Sequence, residues 1–167
     1  MGLLDTYPDR WLPIQSQARE TISQELAQVD RGLSWLVTHS EAVGDTSVVT
    51  VLIRTPATTE YRVKFSVSAD QLGSWTFEED TTASVGSALT SLCLNRTVAN
   101  DTLLPISHTP VLGTAGTVLD RGLSLQRPTG VNESTSWVLD ESTDYVIRYT
   151  ATTATTCIIR LTHEVVR

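Results

Sequence analysis

Residues 61–79 read YRVKFSVSADQLGSWTFEE, and this stretch decides the fold class of the chain. In residues 61–67 and again in residues 75–78, every second side chain is apolar, which is the pattern of a strand with one dry face and one solvated face. Between the two runs, residues 70–74 contain a glycine and small polar residues that suit a chain reversal. The stretch therefore predicts two successive strands of a half-buried sheet.

The same alternation continues through most of the chain after residue 45. Strands are predicted at about 47–54, 61–68, 74–79, 88–94, 102–107, 117–126, 136–139, 145–151 and 155–163. Residues that favour turns, mostly Gly, Pro, Asn and Asp, lie between these runs. Eight or nine short strands at this spacing predict a mainly-β chain, with residues 46–167 forming one two-sheet antiparallel β-sandwich that is jelly-roll-like.

Residues 1–45 follow a different pattern, which predicts an N-terminal arm and one amphipathic α-helix. Two prolines forbid a continuous helix in residues 1–15. Over residues 16–39, apolar side chains recur at spacings of three and four, and Ser16 is a suitable N-cap. The apolar stripe of this predicted helix consists of Ala18, Ile22, Leu26, Val29, Leu33, Leu36 and Val37.

The arm contains more apolar side chains than a solvated tail normally has. The candidate partner-binding residues are Leu3, Leu4, Tyr7, Trp11 and Leu12. Exposed apolar segments often mark interaction sites. The pattern leaves two alternatives open: the arm packs on its own domain, or it lies on a neighbouring subunit.

Composition argues against several classes of partner. The formal net charge is −7 and Lys64 is the single lysine, so no phosphate-binding basic cluster is present and nucleic acid is not an expected partner. No apolar run approaches the roughly 20 residues that a membrane helix requires. The first residues also lack the basic and then apolar pattern of a secretory signal. Cys93 and Cys157 lie among aliphatic residues and are interpreted as reduced core thiols.

The sequence predicts no catalytic residues, no cofactor and no metal site. His39, His108 and His163 lie far apart and share no metal-ligand spacing, so they are interpreted as structural. The acidic groups at residues 78–80 and 140–144 are interpreted as solvated turns rather than calcium ligands. Neither a nucleophile elbow nor a phosphate-binding glycine loop occurs. These observations favour a protein that is not an enzyme.

Trp75 and Trp137 lie in predicted strands and are interpreted as core residues. The alternative is that one of them faces solvent and stacks on a sugar ring, as in a carbohydrate-binding β-sandwich module.

Four short elements follow one another in an order that resembles a known family. They are Gly86-x-Ala88-Leu89-Thr90, Asn95-Arg96, Ser107-His108-Thr109-Pro110 and Asp144-Tyr145-x-x-Arg148. Over residues 46–164 the series resembles tailed-bacteriophage β-sandwich virion proteins of the capsid decoration (cement) type. The chain departs from that family's pattern at Cys93-Leu94, before Asn95-Arg96-Thr97, and its N-terminal arm and helix have no counterpart that we can match.

The resemblance implies a structural protein of the phage particle. Such a protein decorates and stabilises the outside of the capsid, often as a homotrimer, with the major capsid protein as its partner. Its location would be the capsid exterior of the virion, after synthesis in the host cytoplasm. Two alternatives remain open: another virion component, such as a head-tail connector or a tail or fibre part, and a carbohydrate-binding module.

Overall fold

The computed structural model describes residues 26–98, 102–124 and 136–166, and within these ranges the chain forms eleven strands. The strands are β1 (Ser34–Val43), β2 (Val48–Arg54), β3 (Tyr61–Ala69), β4 (Gly73–Glu79), β5 (Ser87–Ala88), β6 (Leu92–Cys93), β7 (Ile106–His108), β8 (Thr117–Ser124), β9 (Trp137–Leu139), β10 (Asp144–Ala151) and β11 (Thr155–Val165). Residues 26–30 are helical. No helix in the described ranges is long and apolar enough to cross a membrane.

The strands form two antiparallel sheets, which confirms the predicted mainly-β sandwich. One sheet has the order β6-β1-β11-β3-β9 and the other has the order β5-β7-β2-β10-β4-β8. The chain changes sheet between every two successive strands except β4–β5 and β7–β8. Most consecutive strands therefore lie in opposite sheets, and most strand pairs join residues that are distant in sequence.

The core lies between the sheets and is built by the alternation seen in the sequence. Along β3, the side chains of Tyr61, Val63, Phe65 and Val67 are buried and the residues between them are half-buried. The Phe65 ring meets two rings of the other sheet, those of Trp75 (5.4 Å between centroids) and Phe77 (5.1 Å). Aromatic contacts across the core thus join the two strands that decided the fold class.

Both predicted core tryptophans pack against core phenylalanines, although they differ in burial. Trp75 is 9% exposed, which confirms the core interpretation. Trp137 is half-buried, and its ring centroid lies 5.8 Å from that of Phe77.

The predicted helix over residues 16–39 is wrong after Asp30, because residues 31–32 form a turn and Ser34–Val43 form β1, while residues 16–25 lie outside the described residues. The described helical turn ends at a Schellman motif in which Gly32 has a φ of 69°. The Leu33 amide donates to the Gln28 carbonyl (2.9 Å) and the Gly32 amide donates to the Val29 carbonyl (2.9 Å). The residues of the predicted apolar stripe therefore belong to two elements, the helical turn and β1, which Gly32 separates.

β1 is fixed by a complete ladder rather than by local propensity. It pairs with β11 along its whole length, from Ser34 opposite Glu164 to Val43 opposite Thr155. Trp35, Val37 and His39 point into the core, with the period of two that a strand requires. β1 lies before the predicted boundary at residue 45/46, yet it belongs to the same sheet as strands that follow that boundary.

The predicted strands at residues 88–94 and 102–107 are the other two corrections. The first is wrong because β5 and β6 are each two residues long and belong to different sheets. The second is shorter than predicted, since β7 begins only at Ile106. This part of the chain passes from one sheet to the other and back, so its residues do not form one continuous strand.

Both cysteines are free thiols, as expected. Cys157 is fully buried and Cys93 is half-buried. Burial, with a smaller contribution from the Glu41 carboxylate, raises the pKa of Cys157 to about 12. The Cys157 thiol is therefore protonated at neutral pH and suits the core better than a nucleophilic role.

Candidate interaction surface

The predicted partner-binding residues Leu3, Leu4, Tyr7, Trp11 and Leu12 lie outside the described residues. Within the described ranges, the apolar surface is concentrated on the long connection from β4 to β8, which spans residues 80–116. Five of the eleven exposed large apolar side chains belong to it; they are Val85, Leu92, Leu94, Leu103 and Val111. We call these five residues the apolar edge. These five side chains share one segment of the chain, and exposed apolar segments often mark interaction sites.

Val85 and Leu103 of the apolar edge line one groove with a volume of about 410 Å³. Leu52 and Arg54 of β2 also line it, and the other lining residues come from the β4–β8 connection: Ala88, Leu89, Thr90, Ser91, Thr102, Leu104, Pro105, Ile106 and Ser107. Apolar walls with a few hydroxyl groups and one guanidinium suit an apolar segment of a partner protein better than a reaction centre.

Arg54 links the β4–β8 connection by hydrogen bonds to the outer face of the sheet that contains β2 and β10, called the second sheet below. Its Nε donates to Asp144 Oδ1 (2.7 Å) and its Nη2 donates to Asp144 Oδ2 (2.6 Å), a bidentate pair between β2 and β10. The same Nη2 also donates to the Ala83 carbonyl (2.9 Å), which belongs to the connection. The hydrogen bonds to Asp144 raise the pKa of Arg54 above its usual value, so the Arg54 guanidinium stays charged.

The connection is also held against β7 at Gly86, which lies just before β5. The Gly86 amide donates to Ser107 Oγ (3.4 Å), and β5 pairs with β7 by placing Ser87 opposite His108. A Cβ atom added to Gly86 would lie 2.0 Å from the His108 carbonyl oxygen. Glycine is required here because the two backbones approach too closely for any side chain.

We expect Gly86→Ala to lower the free energy of unfolding by about 1–3 kcal/mol, since backbone must move to relieve the clash. Chemical denaturation of the full chain measures this loss. The matched control is Gly44→Ala, because an added Cβ there meets only Ser47 Oγ at 3.6 Å, an ordinary contact. The control should change stability by less than about 1 kcal/mol; equal losses in the two variants would contradict the close approach at Gly86.

The remaining elements of the family resemblance also have structural roles. Asn95 Nδ2 donates to the Asp30 carbonyl (2.8 Å), and Asn95 Oδ1 accepts from the Thr97 amide (3.0 Å). This Asx turn ties the end of the helical turn to the chain after β6. On β10, the Tyr145 hydroxyl accepts a hydrogen bond from the Asp140 amide (2.8 Å). These residues thus hold two turns of the sandwich in place.

The acidic group at residues 78–80 is not simply a solvated turn, which corrects that interpretation for Glu78. This carboxylate is 4% exposed. It accepts a hydrogen bond from Arg148 Nη2 (3.2 Å) and another from Thr76 Oγ1 (2.8 Å). Glu78 and Asp144 are therefore each paired with an arginine on the outer face of the second sheet.

The histidines do not all lie apart, which corrects the expectation drawn from their spacing. The rings of His39 on β1 and His108 on β7 stack with their centroids 4.5 Å apart. Glu41 lies beside them, and His39 Nε2 donates to its Oε2 (3.0 Å). The sequence carries one partial signal for this cluster, the His39-x-Glu41 spacing that places both side chains on one face of a strand.

His163 is a structural residue, as interpreted from the sequence. It is 1% exposed, stacks on Trp35 (5.4 Å between centroids) and meets the edge of Tyr61 (5.9 Å). Its Nε2 is hydrogen-bonded with Ser91 Oγ (3.3 Å). Burial lowers the pKa of His163 to about 4, so the imidazole is neutral over the physiological range.

Comparisons with known proteins identify no family: no family model matches the chain, and no match is found among the curated proteins. The functional assignment therefore depends on the residues and contacts described above.

Proposed function

We propose that the chain is a non-enzymatic structural protein of a bacteriophage head, a capsid decoration protein with a jelly-roll fold. The strand orders β1-β11-β3-β9 and β2-β10-β4-β8 support the jelly-roll arrangement, because successive strands of these two four-stranded sets alternate between the sheets except at β4 and β8, which pair with each other. Viral capsid domains are among the proteins that use such double-sheet jelly rolls. β5, β6 and β7 are short additions at the edges.

The proposal is supported chiefly by the contacts that the residues of the family resemblance make. Gly86, Asn95 and Asp144 each fasten a part of the chain that lies in or next to the β4–β8 connection. The connection that they hold carries the apolar edge. A decoration protein requires a rigid module with an adhesive surface, and this arrangement supplies both.

Attachment to a capsid would follow from repetition of a modest contact. In a homotrimer, three copies of the apolar edge and of the N-terminal arm face the lattice of the major capsid protein together. Linking several weak contacts raises the overall affinity through effective concentration. Because such a protein binds only the assembled lattice, it stabilises that lattice by mass action.

The carbohydrate-binding alternative is less well supported. It requires a tryptophan ring that presents its face to solvent. Of the three tryptophans among the described residues, Trp35 and Trp75 are buried, and Trp137 packs against Phe77 with its indole nitrogen out of contact with solvent.

Co-sedimentation with heads of the phage that encodes the chain tests the proposal. The full chain should bind assembled heads but not unassembled major capsid protein. Deleting residues 1–15 should abolish binding, and Leu103→Asp should weaken it roughly tenfold or more, since a charge at an apolar contact is costly. Leu103 is 68% exposed, so the sandwich should fold normally in that variant.

The matched control for Leu103→Asp is Leu123→Asp, which changes a side chain that is 58% exposed on β8, away from the apolar edge. Its binding should equal that of the unaltered chain. Full binding by both the deletion variant and Leu103→Asp would refute the proposed attachment surface. A copy number limited to the tail vertex would favour a connector or tail part instead.

A further inference from the structure

The cluster of His39, Glu41 and His108 has the composition of a metal site. Each side chain offers one ligand atom, and these atoms all lie within 4.8 Å of one another. Within residues 26–98, 102–124 and 136–166, this is the only group of three or more His, Cys, Asp or Glu residues that meets this distance. The three residues come from different sheets, with His39 and Glu41 on β1 and His108 at the end of β7.

All three side chains point toward the space between the sheets. His39 lies opposite the core residue Ile159, and Glu41 lies opposite the buried Cys157. His108 lies opposite Val51, another core residue. Because directly opposed residues of an antiparallel pair project from the same face, each ligand is on the inner face of its sheet.

The polar atoms of the cluster are not satisfied by hydrogen bonds alone. His108 Nδ1 is buried and has no hydrogen-bond partner among the described residues. A buried imidazole nitrogen without a partner is costly, and a metal ion would satisfy it. The cluster is also open to entry from solvent, since the Glu41 side chain is 33% exposed while that of His39 is 10% exposed.

We infer that His39, Glu41 and His108 bind one divalent transition-metal ion, with Zn²⁺ the best fit, and that the ion joins the two sheets at this end of the sandwich. Two imidazoles and one carboxylate are a common zinc ligand set, and zinc accepts the tetrahedral geometry that a fourth water ligand would complete. The ion would link β1 to β7, and the inference does not depend on the proposed attachment to capsids.

Metal binding requires a small contraction of the cluster. Ligand atoms around a tetrahedral zinc ion lie about 3.3 Å apart, given bonds of about 2.0–2.1 Å. The separations of up to 4.8 Å must therefore shorten by roughly 1.5 Å at most, which side-chain rotation supplies. When His39 Nε2 becomes a ligand, the neutral imidazole carries its single proton on Nδ1, and Nε2 no longer donates to Glu41.

An ion at this position would also stabilise the candidate interaction surface. β7 carries His108 and also pairs with β5, which begins directly after Gly86. A metal bond from β7 to β1 would hold this strand, and with it the β4–β8 connection, against the opposite sheet. The chain should then melt at a higher temperature when zinc is bound.

Calorimetric titration of the EDTA-stripped, dialysed full chain with ZnCl₂ tests the inference, and Co²⁺ absorption reports the coordination. We expect one ion per chain, a visible Co²⁺ d–d spectrum of low coordination number, and a melting temperature that rises with zinc concentration. His108→Gln and Glu41→Gln should each weaken zinc binding by roughly 100-fold, since even second-shell changes cost 10–100-fold.

Glu141→Gln, which neutralises an exposed carboxylate in the turn after β9, is the matched control and should bind zinc normally. Glu41 is only half-buried, so Glu41→Gln should keep the far-ultraviolet circular dichroism of the unaltered chain even if a histidine variant does not fold. Absence of stoichiometric binding by the unaltered chain would overturn the inference. Equal zinc affinity in Glu41→Gln and Glu141→Gln would overturn it as well.

Discussion

Replacing Phe77 with alanine is expected to lower the free energy of unfolding by about 3–5 kcal/mol, the range for buried aromatic truncation. The Phe77 side chain is fully buried. Its ring contacts Phe65 and Trp137 of the opposite sheet, at 5.1 and 5.8 Å between centroids, and stacks on Tyr145 of its own sheet at 5.7 Å. The substitution therefore removes contacts on both sides of the core and leaves a cavity that its ring neighbours fill only partly.

Urea denaturation followed by tryptophan fluorescence measures this effect. The control is Val118→Ala on β8, where the side chain is 48% exposed and the change should stay within about 0.5 kcal/mol. A loss below about 1 kcal/mol for Phe77→Ala would contradict a shared core between the two sheets.

The free energy of unfolding of the sandwich should also decrease when the pH is lowered, because of His163. Burial lowers the pKa of this imidazole to about 4 in the folded chain, against about 6.5 when it is unfolded. Between these two pH values the unfolded chain binds a proton that the folded chain does not bind. The free energy of unfolding therefore decreases as the pH falls from about 6.5 to about 4, by up to about 1.4 kcal/mol per pH unit and roughly 3 kcal/mol in all.

His163→Gln removes this titration while keeping a polar side chain beside Ser91. Between pH 6.5 and 5, where few carboxylates titrate, the variant should show a flatter dependence of unfolding free energy on pH than the unaltered chain. Ser91→Ala is the control and should keep the steep dependence, because it removes only the hydrogen-bond partner of His163 and leaves the buried imidazole in place. An identical slope for His163→Gln and the unaltered chain would contradict the burial of a neutral His163.

The long strands were predictable because their residues satisfy one pattern only. β3 alternates without interruption from Tyr61 to Ala69, and β2, β10 and β11 are rich in β-branched and aromatic residues. β1 was missed because Leu33, Leu36 and Val37 fit a helical stripe as well as a strand. Gly32 decides between the two, and its role as a helix terminator is visible only in its backbone conformation.

The candidate site was less predictable, because its contacts join residues that are far apart in the chain. Arg54 and Asp144 are 90 residues apart, and no local pattern indicates that they pair. His39 and His108 meet because β1 and β7 lie at the same side of the two sheets, which is a property of the topology. The burial of Glu78 depends in the same way on Arg148, which reaches it from a neighbouring strand.

The proposed function places the chain on the outside of a phage head. A cryo-electron microscopy reconstruction of the particle that contains this chain is the decisive test. We expect two-sheet sandwich density on the outer surface of the head, repeated with the symmetry of the lattice, with the β4–β8 connection or the N-terminal arm against the major capsid protein. A head surface without such density, or the chain found only at the tail, would contradict it.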